Sequence, residues 1–544
     1  MAQSTPANKL EVPKMILTFQ AGLNQNQTPD IGEASAGWNF ELGARQSKLI
    51  PRLPFDLKNT TPNASPITGF AQLIKRATGV QTTLVFSGNT CYQWNSDGSF
   101  VAKGSILSGC KPRDVYWSLG DYSIMSDANS TTFQPVTIWD GTTFSVMPTG
   151  LTGVFSAQYC VIWNSRAWFF NIYNNGSDIP HMILASAFEN PQSLNIGSRG
   201  GPTNLGGTTF ATGLEAFYLL TPDLKAINGV TVFQNVLIIS TIDGQLFKLT
   251  GSSAADFQFS NFYVGSSAVG TESIVNIGND VAYIRKGGNI NLLKSVQYFG
   301  DVRSNDIARW IPNVTKNITD SIIVYEQTSQ KVFFFIQNQV MVLFKDILYG
   351  SETDSAINQG LSPWSIYITD HPSKFNTQAA KYMYQPGTTN YTTFFGDSSG
   401  NIYDINGMGN GDAGIYSINC SRTSRLIDDE VLNPFPWQDE ILLGKIQYRR
   451  ISTPSSINIS FSWSDEYNTS ISSVPLKGPP INNTGPVYNG AAYYNKTSYY
   501  SQGFQFANVI SHQTFSPTGK GAGFYITLGN QGSSQWQVDH LELF

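Results

Sequence analysis

Residues Asn235–Gly251 read "NVLIISTIDGQLFKLTG", and the placing of the Asp-Gly pair decides what the chain becomes. Two apolar runs of alternating character flank a dipeptide that tolerates positive φ, and this is the signature of a tight hairpin between antiparallel strands. The same sentence recurs along the chain. "TTLVFSGNTCYQWNSDGSFVA" (Thr82–Ala102) carries it with Asp97-Gly98, and "TIWDGTTF" (Thr137–Phe144) with Asp140-Gly141. It returns in "SIVNIGNDVAYIRKGGNINLLKS" (Ser273–Ser295), "KVFFFIQNQVMVLFKD" (Lys331–Asp346) and "YTTFFGDSSGNIYDIN" (Tyr391–Asn406). The spacing is about 40 residues, the length of four short strands, which is one blade of a β-propeller. A sandwich has no reason to repeat its hairpin at a fixed period. Radial blades do, because each needs a turn and an apolar face to press on the next. The expectation is an all-β protein: a β-propeller of six or seven blades over residues 67–415, preceded by an N-terminal arm and first strand (1–66) and followed by a C-terminal β-rich domain (416–544).

Composition agrees with short strands and tight turns. Charged residues make up 13% of 544 and aromatics also 13%, with 49 glycines; average soluble chains carry roughly a quarter charged residues. The formal net charge of -5 offers no basic field for nucleic acid. The four cysteines, Cys91, Cys110, Cys160 and Cys420, show no metal-like spacing, so buried free thiols are expected. No apolar run approaches the ~18 residues of a membrane span, and the N-terminus has no secretory character. These features predict a chain made and kept soluble in a cytoplasm.

Chemistry is sparse. The four histidines, His181, His371, His512 and His540, form no paired ligand motif, and no Gly-x-Ser-x-Gly elbow precedes a helix. "GSRGGPTNLGG" (Gly197–Gly207) lacks the Gly-Lys-Ser/Thr of a phosphate loop. No catalytic residue, cofactor or metal is assigned. The competing class is a β-propeller glycosidase or glycan-binding protein, since two carboxylates on blade loops suffice for glycoside hydrolysis. "TIWDGTTF" faintly resembles the Asp-box turn of sialidases but misses its spacing, and an aspartate in a hairpin turn ordinarily serves its own backbone.

The stretch "AGLNQNQTPDIGEASAGWNFELGARQSKLIPRLPF" (Ala21–Phe55) resembles the start of the β-propeller tail proteins of short-tailed bacteriophages, the tail nozzle (tail tubular protein B) and hub-stabilisation group. Gly22, Leu23 and Asn24 match that family's first element. Asn39, Phe40 and Leu42 match the second, and Leu49, Arg52 and Phe55 the third. Ala21, Glu41 and Pro54 depart from the pattern. "ILASAFENPQSLNI" (Ile183–Ile196) is similar to a later blade element, with Asn190 for an Asp and Leu194 for a Trp. The likeness extends loosely over residues 15–410.

This resemblance implies a structural virion protein with no enzymatic activity, located in the tail and assembled in the bacterial host cytoplasm. It implies a homo-oligomeric ring, a hexamer, that forms part of the DNA ejection conduit. Its partners would be an adaptor or gatekeeper ring above it, tail fibre or spike proteins beside it, and double-stranded DNA passing without specific binding. The segment Thr18–Phe55 becomes architectural, with Trp38 and Phe40 as buried anchors. Two further expectations concern surfaces. The aromatic, Pro/Gly-rich loop over residues 476–503 is a contact surface that gains order on assembly, and Asp428, Asp429 and Glu430 are candidates for an acidic lumen wall along which DNA slides.

Overall fold

The protein is described by a computed structural model. It describes residues 15–543 apart from 18–21, 26–33, 43–48, 115–120, 128–132, 195–214, 296–301, 313–317, 350–361, 370–375, 408–411, 413–419, 429–443, 451–456, 465–468, 477–509, 516–522, 531–535 and a few isolated turn positions. The chain divides into two compact units. One comprises Phe55–Val340 and Pro372–Gly407; the other comprises Met1–Pro54, Met341–His371 and Met408–Phe544.

Seven four-stranded antiparallel sheets follow one another, so the expected six or seven blades are seven. Their first strands are Ile67–Ile74, Pro112–Asp114, Phe155–Trp163, Ile227–Phe233, Ile274–Asn276, Ile322–Glu326 and Ala379–Tyr384. Each contacts the first strand of the next blade, and the last returns to the first, which closes a ring. The outer strand of blade seven is not the next segment of chain. Asp56–Thr60 pairs with Asn401–Asp404, through partners such as Asp56↔Asp404 and Thr60↔Asn401. The propeller therefore begins at Asp56 rather than at residue 67. A sequence period cannot reveal this, because the repeat is completed by a strand some 340 residues away from its partner.

The hairpins form where the glycines placed them: Gly98, Gly141, Gly244 and Gly400 all have φ between +83° and +90°. Asp140 Oδ1 accepts from the backbone N–H groups of Thr142 and Thr143, each at 2.7 Å. The aspartate thus serves its own turn. The hydrophobic clusters lie between blades. Trp168, Phe170 and Phe217 of blade three meet Leu237, Phe247 and Leu249 of blade four, and Leu73, Leu84 and Phe86 of blade one meet Met125 and Trp139 of blade two. Leu194, the residue standing for a Trp in the resembled element, is fully buried between blades two and three.

All four cysteines are buried free thiols. Burial pushes the thiols of Cys91 and Cys110 up to about 12, with the Asp127 carboxylate adding to the effect at Cys110. A thiol titration with Ellman's reagent at pH 8 is expected to find no fast-reacting cysteine in the native chain and four after denaturation.

The second unit contains two six-stranded sheets. In one, Phe40–Leu42, Leu49–Pro51, Trp536–Leu543, Gly444–Arg450 and Ile510–Phe515 lie in that order, with Met15–Leu17 also on Trp536–Leu543. The other runs Ala34–Trp38, Cys420–Ser424, Gly523–Asn530, Ile457–Ser464 and Thr469–Leu476, with Ile427–Asp428 also on Gly523–Asn530. The C-terminal region is β-rich, but its sheets are completed by strands of the N-terminal arm. The arm and the C-terminal region are one unit rather than two.

Candidate functional site: an arm clamp and a charged channel

Five of the eight residues singled out in the arm, Gly22, Leu23, Asn39, Phe40 and Arg52, converge on the segment Ser362–Ile368, within the second unit. Gly22 donates its N–H to Ser362 O at 2.6 Å, and Leu23 donates to Trp364 O at 2.7 Å. A Cβ on Gly22 would lie 2.0 Å from the Trp364 carbonyl oxygen and 2.6 Å from its nitrogen. Only glycine permits this approach, and here the glycine is required by space rather than by φ. Asn24 N–H then donates to Ala34 O at 2.7 Å. Leu23, Asn24, Asn39 and Phe40 are all buried.

Asn39 turns the chain in the left-handed region, φ 59°, which asparagine tolerates better than most residues. Its N–H donates to Ile366 O, and its Oδ1 accepts from Ile368 N–H at 2.8 Å and from Arg52 Nε at 2.8 Å. Arg52 is wholly buried, and its guanidinium is satisfied on every side. Nη1 donates to Asp412 Oδ1 at 2.8 Å and to Leu53 O at 2.9 Å, while Nη2 donates to Ile368 O at 2.9 Å and to Asp412 Oδ2. A guanidinium presents its donors in a rigid fork that a carboxylate accepts two at a time, so arginine rather than lysine belongs here.

Trp38 departs from the expectation. It is 38% exposed, whereas Phe40 is buried; the turn at Asn39 falls between them, and the strand Ala34–Trp38 directs Gly37 rather than Trp38 inward. Leu42 lies in the strand Phe40–Leu42, paired with Leu49. Asp428 sits in a short strand with its side chain outside the described residues. Asp429, Glu430 and the loop 477–503 lie outside them as well.

The second arrangement belongs to the propeller and was missed in the sequence. The innermost strands enclose a cavity of about 580 Å³ whose lining includes Arg113, Asp114, Glu272 and Lys381. Arg113 of blade two grips Glu272 at the entry to blade five with two nitrogens, Nη2 to Oε2 at 2.8 Å and Nε to Oε1. Lys381 Nζ of blade seven contacts Asp114 Oδ1. The other Asp114 oxygen accepts from Gln72 N–H at 2.8 Å and Ser123 Oγ at 3.3 Å. Burial first, and the Arg113 guanidinium second, lower the Lys381 ammonium from its ordinary value to about 7. Nothing local in the sequence links these positions; the one trace is charge in "CKPRD" (Cys110–Asp114) and "AAKYMY" (Ala379–Tyr384), at strands otherwise apolar. Among the described residues no group of three or more His, Cys, Asp or Glu is placed to hold a metal ion, and no helix is long and apolar enough to cross a membrane.

Among solved structures, the chain is similar in fold to virginiamycin B lyase from Staphylococcus aureus, at 10% identity and a TM-score of 0.39, covering 64% of this chain and 96% of that one. A streptogramin B lyase matches at 11% identity and a TM-score of 0.40, over 65% and 97%. YCF48 bound to D1 peptide matches at 11% identity and a TM-score of 0.38, also over 65% and 97%. These are likenesses of fold at low identity, and the chemistry of those proteins does not transfer with them. No family model matches the chain, and no curated protein is similar to it.

Proposed function

We propose that the chain is a structural subunit of a short-tailed bacteriophage tail, a ring-forming nozzle or hub protein and not an enzyme. The observation that carries this reading is the clamp: the residues through which the arm resembles the tail family are spent on holding the arm in place. Gly22, Asn39 and Arg52 recognise backbone and one buried carboxylate, which is the work of an assembly element. The propeller channel supports the same reading. Arg113 and Glu272 reach toward each other from blades two and five, which leaves the duplex no path through a single propeller; the conduit in this proposal is formed by a homo-oligomeric ring, a hexamer as the resemblance implies. A net charge of -5 suits a wall that lets DNA slide without counterion release. Its neighbours would be an adaptor or gatekeeper ring and fibre or spike proteins, with the subunit assembled in the host cytoplasm and retained in the virion tail.

The test is to raise antibodies to the purified chain and image labelled virions by negative stain, beside mass photometry of the chain alone and with tail adaptor rings. Label at the tail end and rings on the adaptor are expected. A chain absent from virions that cleaves glycosidic substrates would overturn the proposal in favour of a propeller glycosidase.

A further inference from the structure

We propose that Lys381 is a nucleophilic amine in the wall of the propeller channel, placed to form an imine with a small carbonyl compound that enters the cavity. This does not rest on the tail reading. The Lys381 side chain is 15% exposed, and what it is exposed to is the cavity. A volume of about 580 Å³ lies within the roughly 300–1,000 Å³ of small-molecule sites. Besides Lys381 the wall carries three charged groups, Asp114 and the paired Arg113 and Glu272; tyrosines 325 and 382, Gln158, Asn276 and the aliphatic Ile274 and Val324 make up much of the rest.

The groups facing the amine come from three elements. Strand Pro112–Asp114 supplies Asp114, in contact with Nζ, and Arg113, whose charge is locked on Glu272. Strand Ile67–Ile74 supplies the uncharged Gln72, bonded to the backbone of Tyr384 on the lysine's own strand. Strand Ile322–Glu326 supplies Tyr325. A desolvated lysine beside a second cation is the arrangement that frees an amine for attack near neutrality, and the lowering of the ammonium to about 7 follows from those two causes. Asp114 is held by Gln72 and Ser123 with one oxygen toward the amine, where it can take a proton and return it.

The step balances without an oxidant or reductant. The Lys381 nitrogen attacks the carbonyl carbon, a C–N bond forms, and the carbonyl electron pair moves to oxygen. Asp114 takes one proton from the nitrogen and passes it to that oxygen, which gives the neutral carbinolamine. The nitrogen lone pair then forms the C=N bond as the C–O bond breaks, and the second N–H proton passes through Asp114 to the departing hydroxyl, which leaves as water; the imine is hydrolysed by the reverse path.

The experiment uses the full chain with propionaldehyde and sodium cyanoborohydride from pH 5.5 to 9.5, followed by peptide mass mapping. At pH 7 Lys381 is expected to be alkylated about tenfold or more faster than the remaining lysines, because half of it is unprotonated where an ordinary lysine is almost wholly charged. Its rate should level off above pH 7 while the others keep rising. Lys381→Arg should abolish the fast phase. Labelling of Lys381 no faster than that of the other lysines at pH 7 would overturn the proposal and leave the pair with Asp114 as a plain ionic contact.

Discussion

Replacing Arg52 with methionine is expected to destabilise the arm-bearing unit by about 3–5 kcal/mol, because it leaves the Asp412 carboxylate buried without its counter-charge. Both side chains of this pair are fully shielded from solvent, so no water substitutes for the lost donors. Asn39 Oδ1 loses one donor and the Ile368 carbonyl loses its own, which adds to the cost. Asp412→Leu should be comparably damaging for the converse reason, a buried guanidinium with no anion. The double variant is the informative one. An apolar pair of similar volume removes both desolvation penalties, so Arg52→Met with Asp412→Leu should cost clearly less than the sum of the single changes. Scanning calorimetry checks this, with a fall in the unit's Tm on the order of 10 °C expected for each single variant. Additive single effects would mean that the two groups do not act as a pair.

Gly22→Ala is the second large effect. The added methyl cannot be accommodated by a flexing side chain, since what it meets is the Trp364 main chain at 2.0–2.8 Å. Either the arm lifts away or the segment Ser362–Ile368 shifts. Both outcomes break the bonds Gly22 N–H to Ser362 O and Leu23 N–H to Trp364 O, and the cost is about 3 kcal/mol. Hydrogen exchange reads it directly: the Leu23 amide should exchange markedly faster in the variant, while the amides of Leu84 and Val85 in blade one keep their protection. Unchanged protection at Leu23 would show that the arm does not pass this closely over Trp364. If the arm is the assembly element proposed above, particles carrying Gly22→Ala should also lose infectivity through incomplete tails.

Much of the propeller could be read from the sequence because its information is local. Alternation around Asp97-Gly98 or Asp140-Gly141 specifies a hairpin within a dozen residues, and the repetition of that hairpin specifies blades. The backbone's demand for positive φ and the two-residue side-chain period are enough for this, with no reference to any distant contact. The buried state of the cysteines and the structural service of Asp140 follow from the same local rules. The importance of Gly22, Asn39 and Arg52 was legible as a pattern, though not its cause.

Other features were decided only by the tertiary structure. Trp38 and Phe40 look alike in the sequence, yet one is exposed and the other buried, because the left-handed turn at Asn39 changes which way the chain faces. Which strand completes blade seven, and which strands complete the C-terminal sheets, depends on pairings between opposite ends of the chain; each strand's alternation makes it competent to pair but does not name its partner. The same holds for charge. Arg52 and Asp412 lie 360 positions apart, and Lys381 meets Asp114 across 267. Nothing near any of the four in the sequence names its partner, because a charge's partner is set by Coulomb attraction through space in a desolvated interior, and spacing along the chain carries no record of it.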